Sequence, residues 1–358
     1  MNKKVLAVAI SSALALPMSA HAIKFSTSGQ VNRAIMFADD GVASDTMQVD
    51  NAASQSRFRF TGKEKLGVGG ITAGFALEAG FSSNMSTGVT IKGGNGNGTG
   101  ADAAFNLRQS HIYFSGKFGK VTLGHTSGAF DGITFKDYSG VGITGVVNGG
   151  TSFGSGISWR TNAGGTVANG TGTLTLGNTA SSLDGGRIDG LRYDTPKFGP
   201  IGAAVSVHDN QRWNASVSLN SSFSGAKVQA AIGYEENTNN AARDQWGGSA
   251  SVLFSQGTNI TFAYSERDLN AAGRNDPDNF YVSIGHKWGN NAIALGYSET
   301  QDLNANSDEH TQWGIGFVHT IPGPKVELYA GYKNHDMERP GTNIEDVDTF
   351  QIGTRVKF

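Results

Sequence analysis

WNASVSLNSSFSGAKVQAAIGYE, residues Trp213 to Glu235, alternates twice. Trp213, Ala215, Val217 and Leu219 fall on one parity, and Asn214, Ser216, Ser218 and Asn220 on the other. After a turn at Phe223-Ser224-Gly225, Val228, Ala230, Ile232 and Tyr234 repeat the pattern opposite Gln229, Ala231, Gly233 and Glu235. A period of two sends successive side chains to opposite faces of a strand, so each segment has one apolar and one polar face. A single pair of this kind describes any half-buried hairpin. The fold is decided by its recurrence. Trp246 to Phe254, Ile260 to Tyr264, Phe280 to Trp288, Ile293 to Tyr297, Trp313 to Phe317 and Val326 to Tyr332 all carry it. The closing TFQIGTRVKF, Thr349 to Phe358, sets Phe350, Ile352, Thr354, Val356 and Phe358 against Gln351, Gly353, Arg355 and Lys357.

A sandwich would alternate as well, so the links between segments matter. Short links (Gly225-Ala226, Gln256-Gly257, Gly289-Asn290, Pro322-Gly323-Pro324) take turns with long polar ones such as Glu266–Asp276, Thr300–Asp308 and Asn334–Asp346. Short turns on one rim and long loops on the other describe an antiparallel up-and-down barrel in an outer membrane. Aromatic residues gather where segments meet the rims, as girdles do at lipid interfaces. Trp213, Tyr234, Trp246, Tyr264, Tyr297, Trp313 and Tyr332 stand on the long-loop side, with Phe254 and Trp288 on the other. In hydrocarbon every backbone N–H and C=O must be paired within the protein, and only helices and closed barrels achieve this. The chain beyond residue 22 offers no helical period and no apolar run long enough to span as a helix.

The chain's start fits export. Met1-Asn2-Lys3-Lys4 is a basic n-region, Val5 to Leu16 is apolar, and Ala20-His21-Ala22 supplies an A-x-A site. Residues 1–22 therefore read as a secretory signal peptide, with the mature chain starting at Ile23. The 358 residues include no cysteine, 51 glycines and 7 prolines, a composition that suits many strands and tight turns. The formal charge of −2 argues against nucleic acid as a partner. A mean hydropathy of −0.27 is compatible with a barrel, because half of each strand faces water.

The first half yields strands near 24–37, 54–64, 70–82, 105–116, 119–126, 187–195 and 200–208. With the later ones this gives about sixteen, an even number as bacterial single-chain barrels have. Between them runs a long segment, Ser127–Gly185. Its first part, Gly128 to Tyr138, mixes aromatics with Asp131 and Asp137 and can pack against something. Its remainder, Ser139–Ser182, is rich in Gly, Thr, Ser and Asn and reads as an exposed, mobile excursion.

If the apolar parity faces lipid, the opposite parity faces the lumen. Around Phe58 and Phe60 that places Arg57, Arg59, Thr61 and Lys63 inside, followed by Glu78, Arg108 and Arg192 on later strands. Each charge alone would be a solvated residue on any sheet face. Several arginines converging beside a loop with Asp131 and Asp137 suggest a basic wall and an acidic loop, hence a transverse field favouring small polar solutes. Arg33 conflicts with this scheme, because it shares parity with Val31, Ile35 and Phe37.

Patterns for other chemistry are weak. Gly150-Thr-Ser152-Phe-Gly154 matches G-x-S-x-G, but that elbow needs a strand-to-helix turn on a parallel sheet. Gly93-Gly94-Asn95-Gly96-Asn97 is a single glycine-rich copy and reads as a loop tip. The eight histidines show no metal-ligand spacing, so neither metal nor cofactor is expected.

Ser56-Arg-Phe-Arg-Phe-Thr-Gly-Lys-Glu64 with Ala76-Leu-Glu78, the run Phe105 to Gly124, and Leu191-Arg-Tyr-Asp-Thr-Pro-Lys-Phe-Gly199 resemble the general, trimeric porins of Gram-negative outer membranes. The terminal Phe358 matches that family's last residue. The resemblance implies a sixteen-stranded transmembrane barrel in the cell outer membrane, a homotrimer, and a third extracellular loop folded into the lumen at Ser127 to about Tyr138. It implies a basic wall of Arg57, Arg59 and Arg108 with Glu78 beside it, and Asp131 and Asp137 as loop acids. By the same resemblance the surroundings are outer-membrane lipid and lipopolysaccharide, the solutes are small polar molecules and ions, and Phe358 belongs to the signal read by the outer-membrane assembly machinery. The family's pattern has glycine where Arg59 stands, and the Ser139–Ser182 extension departs from it. The function expected is a water-filled channel for passive diffusion. Two readings from other classes are an outer-membrane lipid hydrolase and an adhesin or receptor with a plugged lumen.

Overall fold

The computed structural model describes residues 23–92, 105–170, 172–208, 212–236, 244–269, 271–323 and 325–358. The leader expected at 1–22 and the loop tip at 93–97 lie outside them. The strands are β1 (Lys24–Asp39), β2 (Ser44–Asp50), β3 (Arg57–Lys65), β4 (Thr72–Gly80), β5 (Asn106–Gly116), β6 (Gly119–Ser127), β7 (Ala168–Asn169), β8 (Gly172–Thr173), β9 (Arg187–Asp194) and β10 (Ile201–His208). They continue with β11 (Trp213–Phe223), β12 (Ala226–Glu236), β13 (Asp244–Leu253), β14 (Thr258–Asp268), β15 (Asp278–Trp288), β16 (Asn291–Gln301), β17 (Glu309–Ile321), β18 (Val326–Glu338) and β19 (Val347–Lys357).

Seventeen of these form one sheet of antiparallel neighbours, and β1 pairs with β19 to close it. Two of the seventeen share one place. The second half of β1 pairs with β2, from Arg33 opposite Asp50 to Asp39 opposite Ser44, and its first half pairs with β3, from Lys24 opposite Lys63 to Gln30 opposite Arg57. A 3-10 turn at Ala52–Ser54, capped by the Asn51 side chain, interrupts what is otherwise one stave. The barrel therefore has the expected sixteen positions. The small ribbon β7–β8 stands apart in the long segment.

Burial is inverted relative to a soluble protein. Val217, Ile232, Ile284 and Leu295 are about half exposed on the outside, while Ser251, Thr261, Ser283 and Ser298 are buried within. Aromatic pairs ring the outer face. Trp213 and Tyr234 lie 5.5 Å apart, as do Trp246 and Tyr264, and Trp313 lies 5.3 Å from Tyr332. Tyr234 and Tyr332 donate their hydroxyls to Asp244 and Asp348, toward the long loops. Each ring is thus apolar at its base and wet at its tip, as an interface demands.

The core lies inside the barrel, against one side. The Ser139–Ser182 stretch is not the exposed excursion its composition suggests. Phe153, Ile157, Trp159, Leu174 and Leu176 are fully buried, clustered with Met36, Val49, Met337 and Val347 of the wall. Polar bonds fix the same contact: Lys333 Nζ donates to Gly150 O at 3.0 Å and to Gln312 Oε1 at 2.9 Å, and Gln351 Nε2 donates to Thr144 O at 2.8 Å. Glycine, serine and threonine supply close backbone approach here. They let the segment lie flat on the inner wall.

Candidate pore constriction

Beside that packed side, on β3, β4 and β5, the inner wall carries the charges. Arg57 and Arg59 stand on the inward parity of β3, and the register places Glu78 of β4 directly across from Arg59. Between Glu78 and Ala79 the β4–β5 register slips, so that Gln109 faces Glu78 and Leu107 faces Ala79. Arg108 is the extra residue of this bulge, a device that re-aims a side chain. Its Nε lies 2.6 Å from Glu78 Oε1, and its Nη1 donates to Gln55 Oε1 at 2.9 Å. Arg59 is ion-paired to the other Glu78 oxygen, and Arg57 Nη1 comes within 3.6 Å of the first. One buried carboxylate thus serves three guanidiniums, and the surplus is positive. The Arg59 side chain is 42 % exposed and the Arg57 side chain 25 %, so the surplus faces solvent.

The neighbouring Ser54 joins this group to the last strand: its Oγ accepts from Arg355 at 2.6 Å and from Arg57 at 3.5 Å. Arg192 has a different setting. It pairs with Asp194 at 2.7 Å and donates to the carbonyls of Ser127 and Gly128, so it holds the point where the long segment leaves β6. Lys63 lies on the same parity as Arg59 but nearer the short-turn rim, and it is exposed.

The two loop acids part company. Asp131 is half-buried and sits in electrostatic reach of Arg187 and Lys136. Asp137 turns to the wall instead. It accepts from Ser139 N at 2.8 Å and from Thr261 Oγ1 of β14 at 3.1 Å, so it fixes the loop rather than facing the arginines. The inward loop is held by a residue that sequence reasoning missed. Asp184 accepts from Gly132 N at 2.6 Å, from Ile133 N and Thr134 N at 2.9 Å, and from Thr134 Oγ1 at 3.1 Å. Burial pushes its carboxyl up to about 6, with Asp131 adding to the effect and the amide donors opposing it. Burial also lowers the Lys136 ammonium. Fifty residues separate Asp184 from Thr134, and no local signal links them.

Arg33 faces outward, as its parity requires, and its position has an explanation. It pairs with the fully buried Asp50 at 2.6 Å and donates to Ser83 Oγ at 3.1 Å, where the residues after β4 fold over the end of β2.

Ser152, of the G-x-S-x-G match, accepts from Asn148 Nδ2 at 3.2 Å, and its carbonyl accepts from Ser86 Oγ. It lies within the packed segment. Among the described residues no cluster of His, Cys, Asp and Glu could hold a metal ion, and no helix is long and apolar enough to cross a membrane.

A sequence model of the family described as Gram-negative porin matches residues 6–339. Among solved structures, the chain is similar to the anion-selective porin from Comamonas acidovorans, with 15% identity, a TM-score of 0.64, and coverage of 94% of this chain and 100% of that one. It is similar to the outer membrane channel DcaP of Acinetobacter baumannii, with 13% identity, a TM-score of 0.60, and coverage of 96% and 99%. It is also similar to the trimer form of OmpT, an outer membrane protein of Vibrio cholerae, with 13% identity, a TM-score of 0.58, and coverage of 94% and 100%. At these identities the likeness is one of fold. A search of curated protein sequences gave no significant match.

Proposed function

Because the chain belongs to the Gram-negative porin family, we propose that the space between its arginine wall and its inward loop is the eyelet of the channel. The protein is an outer-membrane barrel for passive diffusion of small hydrophilic solutes and ions. In this reading Arg57, Arg59 and Arg108 form the basic wall with Glu78 beneath them, Asp131 is the opposing acid, and Lys63 and Arg192 lie along the path on either side. The observation that carries it is Glu78: one buried carboxylate beneath three guanidiniums leaves exposed positive charge where the lumen is narrowed. Fixed charge in a low-dielectric constriction sorts ions by sign, so the eyelet favours anions.

A plugged lumen is the competing arrangement. Apolar packing occupies the side of β14–β19, β1 and β2, while the neighbouring β3–β5 keep partly exposed charged groups, which supports a narrowed path over a sealed one. We read the barrel as non-enzymatic, with Ser152 serving the packing of the inserted segment. We further propose a homotrimer, in line with the solved trimer form of a similar fold, set in outer-membrane lipid and lipopolysaccharide after removal of residues 1–22 and assembly through the signal at Phe358.

Reconstitution in planar bilayers tests the channel: stepwise conductance is expected, and a folded barrel that never conducts overturns it. Reversal potentials under a KCl gradient test the wall. Arg57→Gln with Arg59→Gln is expected to move selectivity toward cations, and an unmoved potential removes the assignment.

A further inference from the structure

Seven lysines lie within the last or first three residues of their strands at the short-turn rim. Lys24 opens β1, Lys63 and Lys65 are third from last and last in β3, Lys120 and Lys227 are second in β6 and β12, Lys287 is the penultimate residue of β15, and Lys357 ends β19. All seven share the parity of inward side chains. Lys120 goes with Thr122, Lys227 with Ala231, Lys287 with Ser283, Lys357 with Gln351 and Lys24 with Asn32, each of those partners being buried, and Lys63 and Lys65 go with Arg59. They form a ring around the mouth opposite the long loops.

This ring has little negative charge to balance it. In this half of the lumen Asp194 is committed to Arg192, and Glu327 is shared by Arg355 at 2.5 Å and Lys357 at 2.8 Å. Glu64 shares the outward parity of Phe58 and Phe60. Lys24 and Lys63 face each other directly across the β1–β3 ladder, an arrangement of like charges that destabilises a sheet unless an anion lies between them. Lys120 settles over the Tyr113 ring at 4.6 Å rather than on a carboxylate. Lys24, Lys63 and Lys227 are exposed.

We propose that this lysine ring is an anion-binding station at the periplasmic mouth, distinct from the arginine eyelet, for small solutes that carry two or more negative charges. The inference rests on the channel reading above. A ring of ammonium groups in a low-dielectric wall concentrates counter-ions, and a multivalent anion can bridge lysines that a chloride cannot. Anions leaving the eyelet thus meet a second cationic surface on the same path.

The test uses the full mature chain in planar bilayers with citrate as the probe. The protein has no cysteine, so Ala272→Cys in the exposed loop after β14 and a bulky thiol reagent assign the sides. In 0.1 M KCl, citrate on the short-turn side is expected to block current at about tenfold lower concentration than citrate on the long-loop side. The asymmetry should collapse in 1 M KCl, where the screening length falls to about 3 Å. It should also collapse in Lys24→Gln/Lys63→Gln/Lys227→Gln, whose exposed positions leave the ladder and core intact. Equal block from both sides, or an asymmetry that survives the triple substitution, overturns the station while leaving a conducting channel in place. A protein with no conductance overturns the channel reading instead, and the station with it.

Discussion

Gly29 and Phe358 exchange both backbone hydrogen bonds, each at 3.0 Å, and the Phe358 ring lies over Gly29 where a β-carbon would project. The last residue of the chain thus completes the β1–β19 ladder and covers the glycine that receives it. Closure matters because an open sheet edge in hydrocarbon leaves backbone groups unpaired.

Gly29→Val would force the ring and the nearby Arg57 carbonyl apart, an overpacking cost of about 1–3 kcal/mol. Fewer molecules should fold in detergent, as read from mobility of unheated samples on gels, with the conductance of those that do fold unchanged. A normal folded fraction would show that the terminus contributes little to closure.

Glu78→Gln removes the carboxylate that three arginines share, so more of their charge acts on the lumen. Selectivity should move further toward anions, opposite in sign to Arg57→Gln/Arg59→Gln. A shift toward cations would mean that Glu78 holds the guanidiniums in the path and that its loss lets them fold away. Reversal potentials at low salt separate the two outcomes, since screening is weakest there.

The barrel was legible because one face of each strand meets lipid, so a wrong register would bury charge in hydrocarbon and the alternation cannot drift. Where that pressure stops, the reading stops. Ser44–Asp50 is a strand, yet its outward Thr46 and Gln48 rise beside the long-loop rim and show no apolar parity. The bulge that frees Arg108 is a register event between two strands and leaves no trace in either one's period. The long segment concealed its core for a related reason: Val141 and Phe153 are buried with no regular spacing, while Ile157, Trp159, Leu174 and Leu176 alternate in a short ribbon whose two arms, bridged at Ser158 and Thr175, are too brief to show a period. Asp131 and Asp137 looked equivalent, and only the hydrogen bonds of Asp137 to Ser139 and Thr261 tell them apart.

Trp159 is the largest side chain at the contact between the inserted segment and the wall. It is fully buried, and its Nε1 donates to Thr179 Oγ1, which in turn meets His310 at 2.8 Å. Trp159→Ala should cost about 3–5 kcal/mol, drawn from docking of the segment rather than from the strand ladder. The barrel should survive, the segment should become open to protease, and single-channel conductance should rise as the lumen widens. Unchanged conductance together with unchanged protease resistance would place the segment's anchorage elsewhere.

Asp184 makes the inward loop sensitive to pH. Burial raises its carboxyl from 3.8 to about 6, so the folded loop holds this proton more tightly than the unfolded chain does. The stability contributed is complete below about pH 4 and is lost as pH rises through about 6. Asp131, Lys136 and Arg192 all act on this region, and the amides of Gly132, Ile133 and Thr134 hold the carboxylate form in place. These donors limit the loss without cancelling it. Open-channel current should therefore be quieter at about pH 5 than at about pH 7.5, because the loop that borders the proposed eyelet is held more firmly at the lower value. Asp184→Asn cannot titrate and should abolish the difference. An identical pH response in that variant would assign the sensitivity to another group, and the three amides would then be a fixed brace for residues 132–134 at every pH.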